Sequence, residues 1–415
     1  MIIRRDLYLK KLLERKHNRL VKIVTGLRRC GKSFLLNTLF IAELKNAGVA
    51  DNHIIFLSLE GLMNSQYRDP EFTYQYIASL MKDSSMYYII IDEIQMMDRF
   101  VEFLNSLILI PNADVYVTGS NSRFLSSDIA TEFRGRGDVV QLHPLRFSEF
   151  LSAYDGDKLD AWDDYFIYGG MPQILSYQSN ESKAQYLQQL FQNTYTRDLV
   201  DRNKLRNENN LDELFNVIAS ATGSFTNPSK LEKTFRSVKQ VSFPRATIDF
   251  YIQCMEDAFL VSKAQKYDVK GKQYIGTPYK IYFEDVGLRN ARLNFRQTEE
   301  NPIMENIIYN DLKARGFNVD IGVVEYFTKN NTGKTIRKDC EVDFIVNRGS
   351  QRVYIQSAYE IPDNAKMEQE KNSLRRINDS FRKIIITKDY MKPRTDDDGI
   401  IRMGIINFLL DDTMI

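Results

Sequence analysis

The chain has few of the residues that build metal centres and disulfide frameworks. Its 415 residues include three cysteines, three histidines and one tryptophan. Cys30, Cys254 and Cys340 lie far apart and form no Cys-x-x-Cys pair, which argues against a zinc site and favours a reducing, cytoplasmic setting. The formal net charge is only +1, so a contact with nucleic acid would require a local basic patch.

Long apolar runs are also missing. No stretch approaches the roughly 20 apolar residues that a membrane-spanning helix needs. The N-terminal segment, MIIRRDLYLKKLLERKHNRL, is basic but has no apolar stretch of signal-peptide length. We therefore expect a soluble, cytoplasmic protein with no membrane partner, and the length suggests several domains of about 100–200 residues each.

Short apolar runs rich in Val, Ile and Tyr recur through the first part of the chain. They are separated by helical or polar stretches, a pattern typical of a buried parallel sheet with crossover helices. The sequence therefore predicts an α/β domain over residues 1–146. The predicted strands are LVKIVTG (20–26), HIIFLSL (53–59), YYIIIDE (87–93), DVYVTGS (114–120) and VVQLHPL (139–145).

The rest of the chain predicts three further units. Residues 147–206 have a mostly helical pattern, which we interpret as a helical lid. Residues 207–298 combine three short helices with a β-hairpin, as in a winged helix. Residues 299–415 return to an α/β pattern, which predicts a small domain resembling a nuclease.

Residues 26–33, GLRRCGKS, fit the pattern of a phosphate-binding loop between a strand and an apolar helix. Glycines let backbone N–H groups face the phosphates, Lys32 would reach the outer phosphates, and the Ser33 hydroxyl would ligate magnesium. We therefore predict ATP and Mg²⁺ as cofactors, and we expect the two loop arginines to pack outward. The predicted nucleotide contacts are Gly26, Leu27, Arg28, Arg29, Cys30, Gly31, Lys32, Ser33 and Phe34.

Polar residues at the ends of other strands predict the remaining catalytic groups. Asp92 would hold magnesium through water, and Glu93 would polarise the attacking water. Asn121, after the fourth strand, could contact that water or the γ-phosphate, although turn chemistry alone also accounts for it. Arg134 and Arg136 precede the fifth strand and are candidates for an arginine finger supplied by a neighbouring subunit of a homo-oligomer. Solvated loop arginines are the alternative.

The C-terminal pattern indicates a degenerate nuclease site. Glu305 is predicted on a helix, Asp343 at the end of EVDFIV, and Gln356 and Ala358 in VYIQSAYE, where an active site would carry Glu-x-Lys. Carboxylates there bind magnesium and lysine stabilises developing charge, whereas glutamine supplies no negative charge and alanine supplies nothing. We therefore predict a nuclease fold without nuclease activity. The only replacement lysines that we consider are Lys366 and Lys371.

Basic residues of the predicted winged helix and the segment after it are candidate contacts for duplex DNA. Winged helices also dock proteins, and charged runs are usually solvated surfaces. DNA and a protein partner therefore both stay open. The candidates are Lys230, Lys233, Arg236, Lys239, Arg245, Lys263, Lys266, Lys270 and Lys272.

Together these motifs resemble a family of bacterial and archaeal AAA-like P-loop ATPases, in which a C-terminal portion of unknown function contains a restriction-endonuclease-like fold. The resemblance implies ATP binding and hydrolysis, a sensor strand between the P-loop and magnesium strands, and a winged-helix middle. It implies no known substrate. The likeness covers nearly the whole chain through IIRRDLYLKKL, KIVTGLRRCGKSFLL, IIIDEIQ, VTGSNS, LHPLRFSEFL, FIYGGMPQIL, TRDLVDRN, KIYFEDVGLRN and EVDFIV.

Three functions are compatible with this sequence. The first is a magnesium-dependent ATPase whose nucleotide state moves the winged-helix and nuclease-like domains, with DNA as a candidate target. The second is a slow-turnover switch that controls association with a protein partner. The third is an ATP-regulated nuclease. Turnover measured with and without DNA separates the first two, and metal-dependent nicking identifies the third.

Overall fold

The computed structural model describes residues 2–119, 133, 135–205, 208–240, 242–296, 299–329 and 333–415. The chain forms two compact units. Unit 1 comprises Met1–Pro144 with Asp257–Phe259, and unit 2 comprises Leu145–Glu256 with Leu260–Ile415. None of the helices described is both long and apolar enough to cross a membrane.

Unit 1 contains a five-stranded parallel sheet in the order β2-β3-β4-β1-β5. All five predicted strands are present, and β4 lies between the P-loop strand β1 and the strand β3 that ends in the predicted magnesium ligand. This is the strand order that the family resemblance implies. The strands are β1 Val21–Gly26, β2 Ile54–Ser58, β3 Tyr87–Asp92, β4 Ala113–Gly119 and β5 Gly137–Leu142.

Both faces of this sheet are covered. Every residue of β1 and β3 is buried, as continuous apolar runs in parallel sheets require. Alternate residues such as Ile23, Ile89 and Val117 share one core with Phe103 and Leu107 from a covering helix. The α-helices are Asp6–Glu14, Lys32–Phe34, Ile41–Asn46, Pro70–Leu80 and Phe100–Ile108. A π-helical segment, Leu35–Phe40, joins the second to the third, and the 3₁₀ helices are Asp51–His53, Ser65–Arg68 and Ile94–Met96.

Unit 2 combines helices with a mixed eight-stranded sheet in the order β12-β13-β11-β10-β9-β8-β6-β7. Its strands are β6 Val261–Asp268, β7 Gln273–Phe283, β8 Asn318–Lys329, β9 Thr335–Arg348, β10 Gln351–Ser357, β11 Arg382–Thr387, β12 Arg394–Thr395 and β13 Ile401–Gly404. Its α-helices are Phe147–Ser152, Lys158–Tyr168, Asn180–Leu190, Arg197–Asn203, Glu208–Ser220, Pro228–Thr234, Arg245–Asp257, Val286–Arg292, Glu300–Ala314, Asn364–Arg375 and Ile405–Leu410. The π-helical segments are Phe191–Thr196 and Phe235–Lys239, and Pro172–Ser176 is a 3₁₀ helix.

The hairpin β6–β7, which we predict to be the wing of a winged helix, belongs to this large sheet. Strand β6 pairs in parallel with β8, so that Lys266–Asp268 lie beside Ile321–Val323. The predicted boundary between residues 298 and 299 therefore crosses a continuous sheet. The predicted lid, residues 147–206, is helical in its described part. The domain boundaries and the winged helix itself stay predictions.

Candidate functional site

Two glycines shape the loop that follows β1. Gly26 has a φ of 140°, and a Cβ on it would lie 2.0 Å from the carbonyl oxygen of Leu142. Gly31 has a φ of 103° and directly precedes the helix that begins at Lys32. Both φ values lie in the region that favours glycine. The loop can therefore turn sharply at each end while its first residue packs against the end of β5.

Lys32 is buried within this loop, with 4% of its surface exposed. Its Nζ donates hydrogen bonds to the carbonyl oxygens of Gly26 (3.1 Å) and Leu27 (3.0 Å). No carboxylate in the described part of the chain forms an ion pair with it. Because carbonyl oxygens carry only partial charge, the positive charge of Lys32 is left to attract an anion.

The other predicted nucleotide contacts differ in exposure. Arg28, Arg29 and Phe34 are exposed, as we expect for the two arginines, and Ser33 is half-buried. Cys30 is buried, and its Sγ donates to the carbonyl oxygen of Leu142 (3.4 Å). It therefore helps to close the loop against β5.

Arg5 supports the loop and is missing from the sequence prediction. Its guanidinium is buried and donates to the carbonyl oxygens of Cys30 (3.2 Å) and His143 (2.7 Å). It thereby joins the loop to the residues that follow β5. The string IIRRDLYLKKL contains Arg5, but its two hydrogen bonds join residues 25 and 138 positions apart. Contacts between residues so distant in sequence leave no local sequence pattern.

Thr118 on β4 connects the two acidic residues at the end of β3, Asp92 and Glu93. Its Oγ1 donates to Asp92 Oδ1 (2.6 Å) and accepts from the backbone N–H of Glu93 (2.8 Å). Asp92 and Thr118 are both buried. Glu93 has a φ of 57°, which is uncommon for a residue other than glycine. Thr118 therefore fixes both the carboxylate of Asp92 and the backbone of Glu93, a role that the local sequence pattern does not indicate.

Gln95 holds the side chain of Glu93. Its Nε2 donates to Glu93 Oε2, while its own Oε1 is buried and has no hydrogen-bond partner among the described residues. Residues Ile94–Met96 form a short 3₁₀ helix, and this tight turn lets the side chain of Gln95 contact that of Glu93 two residues earlier. The sequence offered only the string IIIDEIQ as a signal for it.

Arg136 lies beside the amino-terminal end of β1, whereas the phosphate-binding loop follows the carboxyl end of that strand. Arg136 precedes β5, whose Gly137 pairs with Val21 at the start of β1, and its guanidinium donates to Asn105 Oδ1 (3.2 Å). The phosphate-binding loop begins only at the far end of β1, about 16 Å away at roughly 3.3 Å per residue. Arg136 therefore does not reach a phosphate on its own loop. Asn121 and Arg134 lie outside the described residues.

In unit 2, Glu305 of the predicted nuclease site contacts Lys280 from β7, and the charge of Asp343 also acts on this lysine. Lys280 Nζ donates to Glu305 Oε1 (2.7 Å) and forms an ion pair with Glu341 Oε1 (2.5 Å). Burial disfavours the charge of Lys280, but the negative charges of Glu305, Asp343 and Glu341 outweigh burial and raise its pKa. For Asp343, burial followed by the charge of Glu305 raises the pKa well above its ordinary value, although Lys280 opposes this. We refer to Lys280, Glu305, Glu341 and Asp343 as the carboxylate–lysine cluster.

Gln356 and Ala358 have neighbours on the helix that follows β10. Gln356 Oε1 accepts from Ser373 (3.5 Å) on the helix Asn364–Arg375, and Ala358 belongs to the same apolar cluster as Leu374 of that helix. The residue between them, Ser357, donates its backbone N–H to Asp343 (2.7 Å). Side chains alternate between the two faces of a strand, so the side chains of Gln356 and Ser357 lie on opposite faces of β10. The predicted grouping of Gln356 and Ala358 with Glu305 and Asp343 stays a prediction.

The predicted replacement lysines are engaged elsewhere. Lys366 pairs with Glu370 (2.6 Å) and Lys371 with Asp396 (2.6 Å). The lysine beside Asp343 is instead Lys280, which our prediction placed in another domain. Within the described residues, no group of three or more acidic, histidine or cysteine side chains is arranged to hold a metal ion.

Several of the candidate DNA-binding residues have an ion-pair or hydrogen-bond partner within the chain. Lys263 pairs with Glu256 (2.7 Å), Lys266 with Asp339 (3.8 Å) and Arg236 with Glu232 (3.3 Å). Lys270 donates to the carbonyl oxygen of Glu325 (2.8 Å). The exposed candidates are Lys230, Lys233, Arg236, Arg245, Lys270 and Lys272, and the side chain of Lys239 lies outside the described part.

The parallel sheet, the loop after β1 and the acidic pair at the end of β3 define unit 1 as a P-loop ATPase-like fold of the AAA type. A family model described as an AAA domain matches residues 18–151, and one described as a domain of unknown function matches residues 159–299. An uncharacterised protein of Haemophilus influenzae is 31% identical over 415 residues, which cover 99% of each chain. The chain therefore belongs to an AAA-like ATPase family that includes this Haemophilus protein.

Two further proteins are similar to this chain. An uncharacterised protein of Methanocaldococcus jannaschii is 26% identical over 393 residues, which cover 91% of this chain and 82% of that one. The solved structure of a Walker-type ATPase of Pyrococcus abyssi aligns with 70% of this chain and 96% of its own, with a TM-score of 0.49 and 14% identity.

Proposed function

We propose that unit 1 binds ATP with Mg²⁺ and hydrolyses it to ADP and phosphate. The observation that carries the proposal is a buried lysine, Lys32, whose hydrogen bonds go to backbone carbonyls. It lies at the edge of the sheet where β3 delivers Asp92 and Glu93. A fixed cation and a positioned carboxylate at one edge supply the two things that phosphoryl transfer to water needs.

The residues divide the reaction between them. The oxygen of a water attacks the γ-phosphorus while the bond from that phosphorus to the β–γ bridging oxygen breaks, and the electron pair leaves with ADP. Glu93 accepts a proton from the water. Lys32 neutralises the charge that develops on the outer phosphates, which is where a preorganised cation has most effect.

The oxygen donors near the loop fit magnesium. Asp92 uses Oδ1 to accept from Thr118, and the hydroxyl of Ser33 stands directly after Lys32. Mg²⁺ prefers oxygen ligands and usually keeps several waters and phosphate oxygens, so one carboxylate and one hydroxyl are a sufficient protein contribution. Bound magnesium would supply positive charge that neutralises the phosphates.

Glu93→Gln tests this proposal directly. The variant keeps the size of the side chain but removes the proton acceptor, so kcat should fall by about 10²–10³-fold while ATP still binds. Steady-state phosphate release and equilibrium binding of ATP measure the two effects. Glu102→Gln, an exposed glutamate in the same unit, is the matched control. Undiminished turnover in Glu93→Gln would contradict the assigned role.

Two of the alternative functions give different results in the same assay. A slow nucleotide switch would bind ATP tightly but turn it over at about 10⁻²–10⁻⁴ s⁻¹ without DNA or a partner. Stimulation by duplex DNA would identify DNA as the macromolecular target, through the exposed basic residues of unit 2. We do not propose a nuclease, because Gln356 and Ala358 stand where an active site would carry Glu-x-Lys, and Lys280 already neutralises part of the negative charge of the cluster.

A further inference from the structure

Thr118 belongs to the strand that lies between the phosphate-binding loop and the acidic end of β3. Strand β4 pairs with β3 on one side and with β1 on the other, and Thr118 is level with Val24, two residues before the loop begins at Gly26. Cα atoms of β4 lie within 8 Å of the turn Ile94–Met96 and of the helical turn Lys32–Phe34. The strand therefore lies against both parts of the candidate site.

The hydroxyl of Thr118 makes two hydrogen bonds whose directions are fixed by chemistry. A threonine hydroxyl has one proton to donate and an ionised carboxylate can only accept, so the proton of Oγ1 points to Asp92 Oδ1 (2.6 Å). A lone pair of the same oxygen accepts the backbone N–H of Glu93 (2.8 Å). Thr118 is fully buried, so water does not compete for either bond.

The second oxygen of Asp92 is left for another partner. No donor among the described residues contacts Oδ2, and this oxygen is not one of their side-chain atoms that are both enclosed and without a partner. Asp92 keeps 6% of its surface exposed, so Oδ2 is open to solvent. A carboxylate oxygen in this position can bind a cation such as Mg²⁺ or a water of its hydration shell.

The other bond of the hydroxyl holds the backbone where β3 ends. Glu93 has a φ of 57°, a conformation that a residue other than glycine adopts at a cost, and Thr118 gives its N–H a partner in that conformation. The chain leaves the direction of the strand at this residue. The position of the Glu93 carboxylate therefore depends on a bend that Thr118 stabilises.

We infer that Thr118 is a positioning residue for ATP hydrolysis, an inference that rests on the proposed ATPase function. Its hydroxyl occupies Oδ1 of Asp92, so Oδ2 is the oxygen left for magnesium or for a water bound to it. The same hydroxyl fixes the bend from which Glu93 reaches the attacking water. Thr118 exchanges no proton in the reaction and acts through these two residues.

Thr118→Val provides the test, because valine has nearly the shape of threonine and lacks the hydroxyl. We expect the Mg²⁺ concentration for half-maximal phosphate release to rise by about 10–100-fold, and kcat at saturating Mg²⁺ to fall by about 10-fold, as when other hydrogen-bond partners of a metal ligand are removed. Titration of the full chain with Mn²⁺ in the presence of ADP, followed by electron paramagnetic resonance, should show the same loss of affinity without turnover. Thr118→Ser, which keeps the hydroxyl, should restore these quantities to near the wild-type values.

Thr73→Val is the matched control for the loss of a buried hydroxyl. Thr73 lies in the same unit and is fully buried, and its Oγ1 donates to the carbonyl oxygen of Tyr67 (2.9 Å). Removing this bond should also lower the thermal midpoint, because a buried acceptor loses its donor. The Mg²⁺ dependence of turnover and the affinity for Mn²⁺ should stay at the wild-type values.

Three results would overturn the inference. The first is a Thr118→Val variant with the wild-type Mg²⁺ dependence and Mn²⁺ affinity. The second is an equal loss of both in Thr73→Val, which would show an effect of stability. The third is a Thr118→Ser variant as impaired as Thr118→Val, because the hydroxyl would then not be responsible. A wild-type chain that releases no phosphate would overturn the ATPase proposal, whereas a loss of Mn²⁺ affinity in Thr118→Val would still show that this hydroxyl positions Asp92.

Discussion

Two lysines, one in each unit, are buried to nearly the same extent but have different hydrogen-bond partners. Lys32 and Lys280 expose 4% and 3% of their surface. Lys32 donates to two backbone carbonyls, whereas Lys280 meets the carboxylates of Glu305 and Glu341. Burying a charge is costly unless a counter-charge accompanies it. Lys280 has its counter-charges within the chain, and Lys32 gains one only when an anion binds.

The comparison shows that burial alone does not identify a functional lysine. What matters is whether the charge is already matched, because a matched lysine stabilises the fold and an unmatched one is available to a ligand. The expected effects of the same substitution therefore differ: stability should change at Lys280 and nucleotide binding should change at Lys32.

Lys280→Met should have the largest effect on stability. Removing one partner of a buried ion pair leaves its carboxylates uncompensated, so we expect the free energy of unfolding to fall by about 3–5 kcal/mol. Chemical denaturation of the full chain measures this. The double variant Lys280→Met/Glu305→Gln should recover part of the loss, because it also removes one negative charge.

A second measurement checks the cluster for activity. Wild-type protein incubated with Mg²⁺ or Mn²⁺ should leave supercoiled DNA intact, since Lys280 occupies the carboxylates. Nicking that disappears in Asp343→Ala would contradict this account of the cluster.

Lys32→Met is the matched substitution in unit 1. The loss of one well-placed donor should reduce kcat/KM for ATP by about 10²–10³-fold. Stability should change by less than about 1 kcal/mol, since no buried counter-charge is stranded. Phosphate release and chemical denaturation should be measured for both lysine variants. The contrast between the two lysines would be wrong if both variants changed kcat/KM and the free energy of unfolding by the same amounts.

Asp285 extends the comparison to a buried charge whose hydrogen-bond donors are backbone groups. It accepts from the N–H groups of Gly170 (2.7 Å) and Leu288 (3.0 Å), and burial, only partly offset by these donors, raises its pKa from 3.8 to about 6. The folded state therefore holds the proton more tightly than the unfolded state does. The resulting stability is complete below about pH 4 and is lost as the pH rises through about 6.

Denaturation of the wild type and of Asp285→Asn between pH 3.5 and 7 measures this contribution. The stability of the wild type relative to the variant should decline with rising pH by at most about 3 kcal/mol. A difference that stays constant across this range would show that Asp285 does not titrate there.

The smallest effect is expected from a charge supplied by a second copy of the chain. Arg136 is remote from its own loop, so it could assist hydrolysis only at a neighbour's site, and turnover per chain should then rise severalfold with protein concentration. Arg134→Ala or Arg136→Ala should abolish the rise. Turnover that is flat with concentration, and is retained in both variants, would remove the arginine-finger proposal.

Local patterns predicted much of unit 1. The apolar runs gave all five strands, and GLRRCGKS and IIIDEIQ marked the loop and the acidic pair, because these features depend on neighbours in sequence. The fixed carboxylate of Asp92 could not be predicted in this way. Its partner, Thr118, lies on another strand, and only the fold brings β3 and β4 together.

Unit 2 was harder for a related reason. Strand β6 pairs with β8 across more than 50 residues, so the hairpin looked like an independent wing. Strand β9 also shifts register, so that Asp343 and Phe344 both oppose the single residue Ile321 of β8. A bulge of this kind redirects side chains, so counting residues along the strand does not show on which face Asp343 lies.

The strand order of unit 1 also bears on how the chain is made. Strand β1 is the first to leave the ribosome, yet its two neighbours in the sheet, β4 and β5, are the last. During synthesis VKIVTG therefore has two unpaired edges, which exposes it to pairing with other chains. Because Gly26 packs on the carbonyl of Leu142, the loop reaches its final form only when β5 has docked. A nascent chain that stops before Gly137 would contain the whole phosphate-binding motif and still be unable to assemble it.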